Sequence, residues 1–128
     1  MIYIDSSVAL AYLLSEDRSP SPLLWRERLI SSRLLQFEVW ARIHARGLTH
    51  SHSQLVELLL KRIPLLEMAV PVLNRALEPF PKPIRTLDAL HLASADFLRT
   101  RGEAVTIASY DGRLIETAQL MGFSLADI

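Results

Sequence analysis

The sequence predicts an α/β fold: a three-layer α/β/α sandwich with a mainly parallel central sheet, in a single domain over residues 1–128. Three observations carry that prediction. Short runs of β-formers alternate with helical segments along the chain, a pattern that calls for parallel pairing with helices on both faces. The length of 128 residues and mass of 14.5 kDa are those of one domain. No internal repeat, low-complexity run or linker divides the chain.

The elements follow in order. Met1-Ile-Tyr-Ile-Asp5 is a run of β-formers ending at a polar residue, hence a short buried strand. Ser6 and Ser7 offer a cap for a helix through Leu14. Ser15 to Pro22 is a polar break with two prolines, and Leu23 to Arg28 reads as a short helix entered at Pro22. Leu29-Ile30 is a short strand bounded by Ser31-Ser32. Arg33 to Arg46 is a helix stopped by Gly47. Thr49 to Ser53 reads as a polar connection, and Gln54 to Arg62 as the second arm of a helical hairpin. A strand is expected at Leu65 to Met68, then a short helix from Val72 to Leu77 entered at Pro71. Glu78 to Pro83 holds three prolines and must be a loop. Thr86 to Arg101 is a strong helix stopped by Gly102, and Glu103 to Ser109 a clear strand. Asp111-Gly112 turns into a last helix, Arg113 to Met121, and Phe123-Ser-Leu adds an edge strand.

Composition narrows the chemistry. The chain has no cysteine, which excludes disulfides, zinc–thiolate sites, iron–sulfur clusters and thiol nucleophiles. Half of its residues are apolar and its mean hydropathy is +0.22, which excludes wholesale disorder and leaves apolar surface for a partner. Aromatics are only 7%, too few for a wide base-stacking platform. No leader-like segment follows Met1, and the longest uninterrupted apolar run, Val8 to Leu14, is far too short to span a bilayer. The expectation is a cytoplasmic protein that does not enter membranes. The formal charge is zero, from 14 basic and 14 acidic residues. Setting aside Asp5, Glu38, Asp88 and Asp111 leaves 14 basic against 10 acidic, and 12 of the basic residues are Arg, suited to bidentate phosphate contacts.

Those four acids are the candidates for chemistry. Ligands of such sheets bind beyond the carboxyl ends of the strands, where strand order reverses. Asp5 ends the first strand and Asp111 follows the Glu103–Ser109 strand, so both stand at that edge. Each also has a purely structural reading: Asp5 as a helix cap, Asp111 as part of an Asp-Gly turn. Glu38 shares a helix face with Leu34, Leu35, Ala41 and Ala45, so its carboxylate points to the apolar side and needs a cation or a salt-bridge partner, or else stands at an edge with Arg42 covering it. Asp88 opens a helix, where the dipole favours an acid, yet Leu92 and His91 share its side. Four carboxylates brought to one sheet edge repel one another, and a hard divalent cation removes the conflict. Metal-assisted phosphodiester hydrolysis is the natural chemistry of such a cluster. His91 reads as a satisfied core histidine, and His44, His50 and His52 as surface residues. Asp96 lies about 80° around the helix from Asp88 and is left out of the site.

At this point a family resemblance emerges. Met1-Ile-Tyr-Ile-Asp5-Ser6-Ser7-Val8-Ala9-Leu10 resembles the opening motif of PIN-domain nucleases, Phe37-Glu38-Val39 the second, and Leu87-Asp88-Ala89-Leu90-His91-Leu92-Ala93-Ser94-Ala95 is very similar to the third. Ser109-Tyr110-Asp111 looks like the fourth, with its Ser two residues before the acid. The acids stand in the family's order across essentially the whole chain, and within the family the chain is most like VapC-type toxins of VapBC toxin–antitoxin systems. The resemblance implies a Mg²⁺- or Mn²⁺-dependent endoribonuclease. Asp5, Glu38, Asp88 and Asp111 would be its catalytic and metal-holding acids, with Ser6 and Ser109 fixing Asp5 and Asp111. It implies RNA as substrate, a cognate antitoxin and a homodimer as partners. Ser15 to Ser32 matches no motif.

Three other readings compete. A phosphoacceptor receiver domain would need paired acids at the first strand end and a Lys after a later strand, but Ser6 follows Asp5 and the only lysines are Lys61 and Lys82. An Asp-x-Asp phosphatase fails because residue 7 is Ser. A PIN-fold RNA-processing nuclease, or an RNA-binding module outside a toxin–antitoxin system, shares the acid quartet and stays open.

Overall fold

The computed structural model describes all residues 1–128. Five parallel strands form its centre: β1 (Ile2–Ile4), β2 (Leu29–Ser32), β3 (Leu65–Leu66), β4 (Thr106–Ala108) and β5 (Ser124–Leu125). Their spatial order is β3-β2-β1-β4-β5. The chain thus moves outward from β1 through β2 to β3, then returns to the other side of β1 for β4 and β5. The reversal falls between β1 and β4, paired as Ile2 with Thr106, Tyr3 with Ile107 and Ile4 with Ala108. A crevice opens at the carboxyl ends of those two strands because their following helices leave in different directions.

Six helices cover the sheet: α1 (Ser6–Leu13), α2 (Arg33–Ala45), α3 (Thr49–Lys61), α4 (Val70–Leu77), α5 (Thr86–Thr100) and α6 (Gly112–Leu120). The period-2 alternation of the strands sorts the core into two layers. Ile4 and Ala108 pack with Val8, Leu35, Val39, Ile43 and Val56 from α1, α2 and α3. Tyr3 and Ile107 face the opposite way, onto Leu92, Ala95, Leu98 and Leu114 from α5 and α6. The predicted three-layer sandwich is the fold found.

Several boundaries move, each for a local reason. Asp5, not Ser6 or Ser7, caps α1, its Oδ1 accepting from the amides of Ser7 and Val8. Pro22–Arg26 is a 3₁₀ turn rather than an α-helix through Arg28, with Ser21 Oγ accepting from the Leu23 amide at 3.2 Å. Ser31 and Ser32 belong to β2 instead of bounding it: both are fully buried, and Ser31 Oγ donates to the Ile4 carbonyl at 2.7 Å. The polar run Thr49–Ser53 is the first turn of α3, not a connection. The hairpin turns earlier, at Arg46 to Leu48, where Gly47 takes a φ of +68°. β3 stops at Leu66 rather than Met68, and α4 starts at Val70 rather than Val72, with Pro71 inside its first turn. β4 is Thr106–Ala108, not Glu103–Ser109, because β1 offers only three residues to pair with.

Asp96, set apart from the acid cluster in the sequence, is structural. It accepts from Arg75 Nε at 2.7 Å and Arg99 Nη2 at 2.7 Å, tying α4 to α5. Burial acts against its charge, but the two guanidinium groups outweigh that and hold the carboxyl below its ordinary value of 3.8. A depressed acid stabilises the fold above its unfolded-state value and loses that contribution as pH falls through its folded-state value. Asp96→Asn is therefore expected to cost about 1–3 kcal/mol at neutral pH, with the gap to wild type closing below about pH 4. Urea denaturation of both proteins at neutral and acid pH measures this; a gap independent of pH would contradict it.

Candidate active site

Asp5 is the innermost of the four acids, with 4% of its surface exposed. Strand β1 runs out at Ile4, and the first turn of α1 folds over the carboxylate. Asp5 Oδ1 accepts from the Ser7 amide at 3.1 Å and the Ser7 hydroxyl at 2.5 Å. Its Oδ2 accepts from Ser109 Oγ at 2.6 Å, across the β1–β4 boundary. Burial pushes the Asp5 carboxyl up from its ordinary value; the hydroxyls of Ser109 and Ser7 pull against that without cancelling it.

Ser109 also accepts from the Asp111 amide at 2.9 Å, and the Tyr110 amide donates to Ser7 Oγ at 2.8 Å. The two loops at the switch point are thus stitched together by Ser7 and Ser109. Asp111 carries both of its sequence readings at once. Its Oδ1 caps α6, accepting from Arg113 N at 2.9 Å, while Oδ2 lies 3.6 Å from Arg85 Nη2 in the cleft.

Asp88 sits in the first turn of α5 with its side chain 13% exposed. Its Oδ2 is buried without a hydrogen-bond partner, and Arg85 Nε stands 3.7 Å away. Burial, then the charge of Asp111, push Asp88 up against the pull of Arg85. Glu38 stands at the edge of α2, not in the core: Ala41 and Ala45 of its predicted apolar face are exposed. It has the partner its position demanded, though that partner is not Arg42. Glu38 Oε1 accepts from His91 Nε2 at 2.6 Å and Oε2 from Ser6 Oγ at 3.1 Å. Ser6 therefore fixes Glu38, rather than Asp5 or Asp111 as expected, while Ser109 does reach both.

All four acids line one cleft of about 780 Å³, together with Ser6, Ser7, His91 and Tyr110. Arginines 18, 42 and 85 line it too, so the cleft mixes carboxylates with guanidinium groups. Two contributors escape the sequence reading: Ser7, two residues after Asp5, and Arg85, three residues before Asp88. His91 is the satisfied core histidine expected, 2% exposed, and the partner that satisfies its Nε2 is Glu38.

A family model described as the PIN domain matches residues 2–120. The chain belongs to the PIN-domain family. A curated relative, Ribonuclease VapC47 of Mycobacterium tuberculosis (strain CDC 1551 / Oshkosh), is 29% identical over 133 aligned positions, covering 98% of this chain and 96% of that protein. In fold this chain is similar to the crystal structure of Mycobacterium tuberculosis VapC20, described as a sarcin-ricin loop cleaving toxin. That likeness has a TM-score of 0.73 at 16% identity and covers the whole of both chains.

The PIN fold implies a divalent cation, and the residues fit one. The donors are carboxylate oxygens, the preference of Mg²⁺ and Mn²⁺. Asp88 Oδ2 is a buried acceptor left without a donor. No three acidic or histidine side chains are grouped tightly enough to hold an ion among themselves, so an ion here would need water to complete its shell.

These environments make the acids costly to the metal-free fold. A carboxyl raised by its surroundings destabilises the fold at neutral pH and ceases to do so once protonated. Asp88→Asn is expected to raise metal-free stability by about 0.5–2 kcal/mol, an advantage that fades as pH falls and Asp88 takes up its proton. Thermal melts in EDTA test this; an unchanged or lower midpoint at neutral pH would argue against it. The same melts with Mn²⁺ should show a rise for wild type, as for any ligand binding the folded state alone, and little rise for the variant.

Proposed function

We propose that this chain is a VapC-type endoribonuclease, the toxin of a type II toxin–antitoxin pair, acting in the cytoplasm with Mg²⁺ or Mn²⁺. The observation that carries the reading is the convergence of Asp5, Glu38, Asp88 and Asp111 on one arginine-containing cleft at the switch point of a PIN fold. The ribonuclease named among its relatives points to RNA as the substrate.

Asp5 and Asp88 would hold the ion, with Glu38 and Asp111 completing the acidic site. When bound, the cation supplies Lewis acidity that makes water a nucleophile near neutral pH and offsets charge on the phosphate and leaving oxygen. The chain's own groups do the rest. Arg18, Arg42 and Arg85 draw the RNA backbone to a cleft that the acids alone would make repulsive. Ser7 and Ser109 hold Asp5 with both oxygens engaged, so its direction is set before substrate arrives. Water attacks the phosphorus in line, the bond to the leaving oxygen breaks, and an acid of the cleft orients the attacking water. The protein partners that this reading brings are an antitoxin and a second copy of the chain. Exposed Phe37 on α2 and Leu73 and Leu77 at the α4–α5 groove supply apolar surface for them.

The test is cleavage of a mixed small-RNA pool with Mg²⁺, Mn²⁺ or EDTA, beside Asp5→Ala and Asp88→Asn. Cuts should require metal and fall at least about 100-fold in both variants, since groups that merely orient a metal's ligands already cost about 10–100-fold. Cutting that survives EDTA, or full activity in Asp88→Asn, would overturn the reading. Metal binding with no cleavage of any RNA would make the chain a binding module instead.

A further inference from the structure

Beneath the cleft runs a chain of hydrogen bonds that the nuclease reading does not use. Tyr3, in the middle of β1, is 1% exposed, and its hydroxyl lies 2.8 Å from His91 Nδ1. The rings meet edge to face, with centroids 5.8 Å apart and planes at 75°. The other ring nitrogen, Nε2, donates to Glu38 Oε1 at 2.6 Å whichever way the Tyr3 bond runs. Ser6 Oγ takes the second Glu38 oxygen. Both nitrogens of His91 are thus committed, so the imidazole is a support for the carboxylate and not a free ligand or base.

We propose that Tyr3 and His91 are positioning residues for Glu38, aligning the acidic cleft from inside the sheet; the inference rests on the nuclease reading above. Glu38 needs such support. It hangs on a flexible side chain at the edge of α2, with no backbone amide within reach of its oxygens, whereas Asp5 and Asp111 are short and capped by amides. An apolar trio could fill the same space between α2, α5 and β1 without burying polar groups. A polar chain there costs desolvation and gives direction in return.

Its placement adds force. Tyr3 precedes Asp5 by two residues on β1, and His91 follows Asp88 by three on α5, so they share a helix side. The chain Tyr3–His91–Glu38 therefore joins the three elements that present Asp5, Asp88 and Glu38. A shift of α5 against β1 would misalign two acids together, and the His91 bonds oppose it.

Tyr3→Phe removes one oxygen from a residue outside the cleft and is the variant of choice. It is compared with Glu38→Gln and with Ile107→Val, which trims Tyr3's cross-strand neighbour in the same apolar layer but removes no polar group. Each is assayed at a temperature where circular dichroism shows it fully folded. The readouts are kcat and KM for RNA cleavage and Mn²⁺ affinity by calorimetry. Tyr3→Phe should lose about 10–100-fold in kcat, with weaker Mn²⁺ binding, little change in KM, and a loss no greater than that of Glu38→Gln. Ile107→Val should lose stability only. His91→Phe is the second variant should Tyr3→Phe fail to fold, with the same expected losses. Wild-type kcat and Mn²⁺ affinity in Tyr3→Phe, losses equal to those of Ile107→Val, or losses exceeding those of Glu38→Gln would overturn the proposal. If wild type itself neither binds Mn²⁺ nor cuts RNA, the nuclease reading falls with it; if wild type does both, only the positioning role is at stake.

Discussion

Asp5 is a carboxylate taken almost wholly out of water at the point where the sheet reverses its strand order, and the surrounding loops are arranged around that difficulty. Two hydroxyls and two amides converge on its oxygens, from the first turn of α1 and from the end of β4. Those bonds do more than offset burial. Ser7 and Ser109 also engage the Tyr110 and Asp111 amides, so the same groups that satisfy Asp5 fix the loop presenting Asp111. An acid that merely capped α1 would not need Ser109, and a turn that merely reversed the chain would not need Ser7.

Electrostatics divides the four acids into two pairs. Asp5 and Glu38 are satisfied within the protein, by hydroxyls and amides in one case and by His91 and Ser6 in the other. Asp88 and Asp111 face one another across the guanidinium of Arg85, which stands close to both without a tight hydrogen bond to either. The cleft therefore has a rigid inner wall and a loosely compensated outer one.

The fold was legible because its periodicities are clean: β-formers, then helical faces, then Gly stops, repeated in an order that only parallel pairing satisfies. Asp5 and Asp111 were legible for the same reason, since strand ends can be read and strand ends place the site. Interactions between distant segments could not be read so directly. Thr49 to Ser53 looks like a loop by composition, but an amide ladder from Leu48 recruits it into α3. Glu38 was rightly marked as needing a partner, yet Arg42 one turn on was the visible choice. The actual partner, His91, is 53 residues away. Ser6 and Ser7 are neighbours in sequence with opposite destinations, one to Glu38 and one to Asp5. Only the direction in which α1 leaves β1 decides which goes where.

The pairing of β1 with β4 bears on how the molecule comes into being. Ile2–Ile4 hydrogen-bonds with Thr106–Ala108, so the centre of the sheet joins nearly the two ends of the chain. Contacts of such long sequence separation must close a large loop before they return any energy, which makes them late events in folding. During synthesis the first strand and its acid are made early and must wait for the fourth. Asp5 stays hydrated, and the cleft unassembled, until the segment through Asp111 has emerged. A chain whose chemistry would act on RNA thus stays inert for most of the time it spends emerging from a particle made of RNA.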